Sequence, residues 1–196
     1  MAPGAPNALD APPWRGGLRT RAMAGSSQTH LVMGFPIPPL QADDPTAAVA
    51  AALLGEGMSS PLMDQLREQR GLVYYAACSA DVIDSGGQFV IEASTSPAQL
   101  ADCLAALAQL VVAQAETIVP VDLERAKNQI RVRRLRGLEK PGRRLEEAAL
   151  DVLVRGSVRS HADWLARIDA VSADQLRSAF ARMVASGAAL AITGRV

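Results

Sequence analysis

Two side chains in this sequence could act together on a carbonyl group. Arg67 and Tyr74 stand seven positions apart in the run Gly57-Met58-Ser59-Ser60-Pro61-Leu62-Met63-Asp64-Gln65-Leu66-Arg67-Glu68-Gln69-Arg70-Gly71-Leu72-Val73-Tyr74. A guanidinium offers a planar fork of donors that suits carbonyls and carboxylates. A phenol hydroxyl can donate to an oxyanion. Such a pair could hold a peptide backbone and stabilise a tetrahedral intermediate. It cannot activate water, because no base or metal accompanies it. The same spacing allows an ordinary outcome, with Arg67 in an i,i+3 pair with Asp64 and Tyr74 in the core.

The elements that would position the pair can be read locally. Ser59-Ser60-Pro61 predicts a helix start, with a cap and Pro in the first turn. That helix runs to Arg70 and stops at Gly71, and a strand from Leu72 to Asp81 delivers Tyr74. A glycine-rich turn, Asp84-Ser85-Gly86-Gly87, predicts a hairpin into a strand from Gln88 to Thr95, with Phe89, Ile91 and Ala93 inward. An earlier strand is predicted at His30-Leu31-Val32-Met33-Gly34-Phe35, and a helix from Asp43-Asp44-Pro45 to Leu54. Ser96-Pro97-Ala98-Gln99 reads as a capping box opening a helix to about Ala115. A long helical stretch from Val121 breaks near Pro141-Gly142 and ends near Gly156. A second capping box, Ser172 to Gln175, opens a helix to Val184, and Ala188 to Ile192 forms a last strand. The order β-α-α-β-β-α-α-α-α-β predicts an α+β fold, with helices packed on one face of a mostly antiparallel sheet. Residues 1–27, rich in Gly, Pro, Ala and Ser, read as a linker or a tail on a domain surface, leaving 28–196 as the domain.

Composition removes several function classes. With 196 residues and 49% hydrophobic content the chain can bury a real core. Lys+Arg and Asp+Glu both number 20, and this balance argues against a generic nucleic-acid binder. Cys78 and Cys103 are too few and too far apart for a disulfide framework or a Cys-rich zinc site, and they do not fix the redox compartment. No apolar run approaches the roughly 18 residues of a membrane span. The first residues show no basic region followed by an apolar one, so no signal peptide is expected. His30 and His161 lie in unrelated segments without helix-spaced acidic or His partners, so no metal site is expected. His161, in Ser160-His161-Ala162-Asp163 at a helix start, reads as a surface or capping residue.

The stretch from Arg125 to Arg144 is strongly basic. One reading is a solvated helix face, with Leu123, Ala126, Ile130, Leu135 and Leu138 toward the core. A second is a polyanion-binding surface, though no aromatic residue interleaves the charges to stack on bases. A third is docking to an acidic partner surface.

The Gly55 to Arg70 block and Arg70-Gly71-Leu72-Val73-Tyr74 resemble the second domain of the pitrilysin or insulinase family of zinc peptidases, which includes mitochondrial processing peptidase. Supporting marks are Gln28-Thr29-His30-Leu31, Asp84-Ser85-Gly86-Gly87, Leu123-Glu124-Arg125-Ala126-Lys127 and Ile168-Asp169-Ala170-Val171-Ser172. The resemblance covers roughly Gln28 to Val196. It implies a half-clamshell domain that binds no zinc itself. Zinc would sit in a complementary N-terminal domain or homologous subunit carrying H-x-x-E-H. Arg67 would bind substrate backbone and Tyr74 would be the oxyanion donor, on a peptide held extended against a strand edge. This chain alone would be inactive. One departure is Pro61, where family members often have Arg, and it puts a substrate or interdomain contact in doubt. The alternative within the same fold is a non-catalytic scaffold, like the core subunits of respiratory complexes. Neither nucleic-acid binding nor membrane insertion is implied.

Overall fold

In β2 (Thr29–Ile37), buried Leu31, Met33 and Phe35 alternate with exposed His30 and Val32. That period of two gives the strand one core face and one open face. The computed structural model describes residues 11–195. In chain order the remaining elements are β1 (Gly17–Ala22), ahead of β2, then α1 (Thr46–Gly55), α2 (Pro61–Met63), β3 (Tyr75–Ile83), β4 (Gly86–Thr95), α3 (Leu100–Glu116), α4 (Pro120–Leu138), α5 (Pro141–Arg155), α6 (His161–Ala170), α7 (Ala173–Ser186) and β5 (Ala189–Gly194). The five strands lie in the order β1-β5-β2-β4-β3, antiparallel except for the parallel β1–β5 pair. This is the α+β arrangement expected from the order of elements.

The helices pack on the face that carries Leu31, Phe89 and Ile91, with α1 against β3 and α7 against β2. Phe89 of β4 and Phe180 of α7 meet edge to face, ring centroids 5.9 Å apart, a favoured aromatic geometry. On the opposite face Val32, Glu92 and Ala77 stand in one row, and Tyr75, Ser94 and His30 in another. Trp14 lies across part of this face. Its indole Nε1 donates to the Gly187 carbonyl at 3.0 Å, and its ring packs beside Gly34.

Gly17–Ala22 falls inside the segment expected as linker or tail, yet it forms β1. All six residues are exposed, so the strand carries no apolar alternation and is held by backbone pairing to β5. A further difference is α6, a helix beyond those counted in the expected order. Ser160 caps it by accepting the Asp163 N–H at 3.0 Å, and His161 is its partly buried first residue. The turn Pro97–Gln99 with α3 forms a 20-residue helix that contains an 18-residue window of mean hydropathy 1.4, so its length and composition match a membrane span. The sequence reading expected no such run. Its stripe Cys103, Ala106, Leu107, Leu110 and Val111 is buried, and the helix packs against α7.

Arg125 and Lys127 in α4 tie the helices together. Arg125 donates to the last carbonyls of α1, Leu53 at 2.7 Å and Glu56 at 2.8 Å. Lys127 is buried and donates to the Asp169 carbonyl at the end of α6, at 2.9 Å. Cationic side chains are favoured at helix C-termini because unpaired carbonyls and the helix dipole both attract them. Beyond Ile130, α4 leaves the core, and Leu135, expected inward, is 53% exposed.

Gly55 ends α1 directly over β3. A Cβ there would lie 2.7 Å from the Cβ, N and Sγ atoms of Cys78. Gly55→Ala must therefore push α1 from the sheet, and overpacking of this kind costs about 1–3 kcal/mol. A fall of that size in urea-unfolding stability is the expected result.

Candidate functional site

Arg67 and Tyr74 sit at the two ends of a pinned turn. Ser60 accepts the Met63 N–H at 3.4 Å, with Pro61 in the first turn of α2. Pro61 therefore starts the helix as expected. After Met63 the helix widens into a π-helical segment, Asp64–Gln69. Gln69 Nε2 donates to Asp64 Oδ2 at 2.6 Å, a pair five residues apart that a π turn brings into line. Such turns are found frequently at functional sites. Leu62, Met63 and Leu66 anchor the inner side in the core.

The exit from the turn is fixed as firmly. The Gly71 N–H donates to Arg67 O at 3.1 Å and the Leu72 N–H to Leu66 O at 2.7 Å. Gly71 has φ +59°, a left-handed conformation that glycine adopts without a steric penalty. Gln99 Nε2 donates to Gly71 O at 3.2 Å, and Thr95 Oγ1 donates to Leu72 O at 2.5 Å. Leu72 and Val73 are buried, and the Tyr74 N–H donates to Ser94 O at 2.9 Å. Tyr74 thus already bonds to β4, although β3 begins three residues later than Leu72. The Ser96–Gln99 pair does not form the expected capping box. Ser96 Oγ donates to Gln99 Oε1 at 2.9 Å, while the Gln99 amide is used to hold the turn.

The side chains at the two ends point away from the core. Tyr74 is 61% exposed, so it is not a core residue. The Arg67 side chain is 46% exposed and approaches only Met58 Sδ and Glu68 Oε1, each at 3.9 Å. Asp64 is bonded to Gln69, and the ordinary i,i+3 pairing with Arg67 is not formed. No hydrogen bond joins Arg67 to Tyr74. The segment therefore presents two donors with unspent capacity, next to exposed Met58 and Tyr75. Donors of these types can bind a carbonyl or carboxylate and stabilise negative charge.

Among the described residues, no three His, Cys, Asp or Glu side chains gather to hold a metal ion. His30 lies exposed on β2 and His161 begins α6. Zinc does not fit this donor set. Burial raises the pKa of both thiols, Cys78 and Cys103, so neither is a ready nucleophile. Sequence reasoning missed the supporting contacts. Gln99 gave no signal beyond its apparent capping role, and the π turn gave none.

The described residues thus form an α+β sheet covered by helices on one face, with Arg67 and Tyr74 exposed at the two ends of one turn. The family model described as the peptidase M16 inactive domain matches residues 6–130, and the chain belongs to that family. It is 29% identical over 192 residues to an uncharacterized zinc protease of Streptomyces coelicolor, covering 92% of this chain and 41% of that protein. Among solved structures, a conserved protein from Enterococcus faecalis aligns with TM-score 0.82 and 19% identity, over 94% of this chain and 44% of that one. A peptidase M16 inactive domain from Pseudomonas fluorescens aligns with TM-score 0.79 and 18% identity, over 93% and 44%. At these identities the structures share the fold. The chain spans less than half the length of the curated relatives it matches.

Proposed function

We propose that this chain is the substrate-binding half of a zinc metalloendopeptidase. Zinc and the H-x-x-E-H motif lie in a complementary domain or homologous subunit, and the substrate is a peptide or unfolded segment. Arg67 grips a substrate backbone carbonyl, and the Tyr74 hydroxyl donates to the scissile carbonyl oxygen as it becomes an oxyanion. The observation that carries this reading is the turn itself. Five hydrogen bonds hold the backbone from Leu66 to Tyr74, yet Arg67 and Tyr74 are left exposed and without a strong partner. Rigid support beneath unspent donors is what transition-state binding needs, because donors fixed beforehand cost no reorganisation during reaction.

Arg67→Ala in the assembled peptidase tests the backbone grip. A hydrogen bond to a charged group contributes about 1.5–3 kcal/mol, so kcat/KM should fall roughly 10- to 150-fold. The loss should appear mainly in KM, as expected for binding shared by ground and transition states. An unchanged KM and kcat would remove Arg67 from the site.

A further inference from the structure

The basic stretch in α4 and α5 divides into two parts. Its first part is consumed internally. Arg125 caps α1, Lys127 caps α6, Arg131 pairs with Asp169, and Arg134 pairs with Glu147 and stacks on Trp164. The second part is not. Arg136 and Lys140 are exposed and make no side-chain hydrogen bond or ion pair among the described residues. Arg143 approaches Glu147 only at 3.9 Å. These three help line a cleft of about 700 Å³ that runs along α4 from Arg125 to Gly137, beside Glu56 and the start of α5. Among the described residues Glu56 is the only acidic one lining it, and it is held by Arg133 at 2.6 Å. A concave site of one sign focuses its field on an anion.

The cleft adjoins the Arg67 turn through one short segment. Glu56 forms its rim, Gly57 packs on Gln129 in its wall, and the Met58 sulfur touches Arg67. Met58, Gly57 and Glu56 thus link the surface over Arg67 to the cleft without a break in the chain. Asn128 and Gln129 there offer amides suited to a peptide backbone, while among the described residues no aromatic side chain lines the cleft for base stacking. We propose that this cleft is a second binding site for an acidic stretch of the peptide substrate, on the reading that the substrate crosses Arg67 and Tyr74. Arg136, Lys140 and Arg143 pair with its carboxylates and select substrates by charge.

The test measures binding of a fluorescein-labelled hexaglutamate peptide to the full chain at low salt, by anisotropy. The peptide is expected to bind, to weaken as salt rises, and to outbind hexaglutamine. Arg136→Glu with Lys140→Glu should weaken it at least about tenfold, since like charges then face the ligand. Both side chains are exposed and internally unpaired, so this variant should keep the wild-type melting temperature. The milder Arg136→Gln with Lys140→Gln variant should weaken binding in the same direction. Arg182→Gln, which removes one exposed positive charge from α7, should change it less than about twofold. That comparison separates the cleft from general charge attraction, and the Arg67 reading is tested by turnover instead. Absent hexaglutamate binding, or binding that survives both double variants, would overturn the proposal. So would an oligothymidylate that binds more tightly than hexaglutamate and is lost in the same variants.

Discussion

Tyr74→Phe in the assembled peptidase should lower kcat by about 10²–10³, the usual cost of losing one oxyanion donor. The substitution removes a single hydroxyl and keeps the ring. Tyr74 is 61% exposed and its backbone N–H is bonded to Ser94 O, so the fold should lose almost nothing and the melting temperature should stay put. KM should also change little, because the hydroxyl meets its full partner only when the carbonyl oxygen carries charge. A drop in kcat with KM and stability held is therefore the signature. It separates Tyr74 from Arg67, whose loss falls on KM. Wild-type turnover in the Phe variant would leave the phenol without the role assigned to it.

The largest stability effect is expected at Asp43. It has φ +49°, between a short turn and α1, and gathers three arginines from the far end of the chain. Arg155 and Arg167 bond to its carboxylate, and Arg159 reaches it at 3.2 Å. Asp151 completes the cluster, accepting from Arg155 at 2.9 Å and Arg159 at 2.8 Å. Burial raises both carboxyls, but the hydrogen bonds and charges of the arginines outweigh it and hold both below their ordinary value. Asp43→Asn keeps the local backbone, since Asn tolerates the left-handed region, and removes only the charge. Breaking a well-buried pair from one side costs about 3–5 kcal/mol. The Asp43 side chain is 28% exposed, which favours the lower end of that range. The pH dependence follows from the direction of the shifts. A carboxyl lowered in the folded state adds stability above its unfolded value and loses it as pH falls through the folded one. Wild-type stability should thus drop below about pH 4, and Asp43→Asn should flatten that drop. Urea unfolding at neutral and acidic pH measures both effects. Equal stability of the two proteins at neutral pH would show that the cluster is not a clasp.

Local signals were legible where one segment decides its own structure. Ser172 and Gln175 form both bonds of a capping box, and Asp84-Ser85 makes the tight turn between β3 and β4. Ser60 and Pro61 start α2 as their types require. Signals failed where a distant partner decides. Ser96 and Gln99 carry the same letters as a capping box, but Gln99 reaches Gly71 instead. Gly17–Ala22 has no buried side chain to pattern, so pairing with β5, far along the chain, makes it a strand. Leu135, five residues beyond Ile130, falls off the three- and four-residue stripe of Leu123, Ala126 and Ile130 and turns outward. The site divides in the same way. Arg67 and Tyr74 could be named from type and spacing. Their exposure, and the π turn and Gln99 contact that hold them, come from packing between α2, α3 and β4.

The most direct test of the central claim isolates the native protein that contains this chain. Antibody against the chain would capture it from source cells, together with any associated subunit. The captured material is then assayed for cleavage of an unfolded peptide, with and without chelator. The account predicts cleavage that chelator abolishes and zinc restores, from a zinc-bearing half on the same polypeptide or an associated subunit. An intact, zinc-supplied assembly that leaves the peptide uncut would contradict it, and would make the chain a scaffold of the same fold.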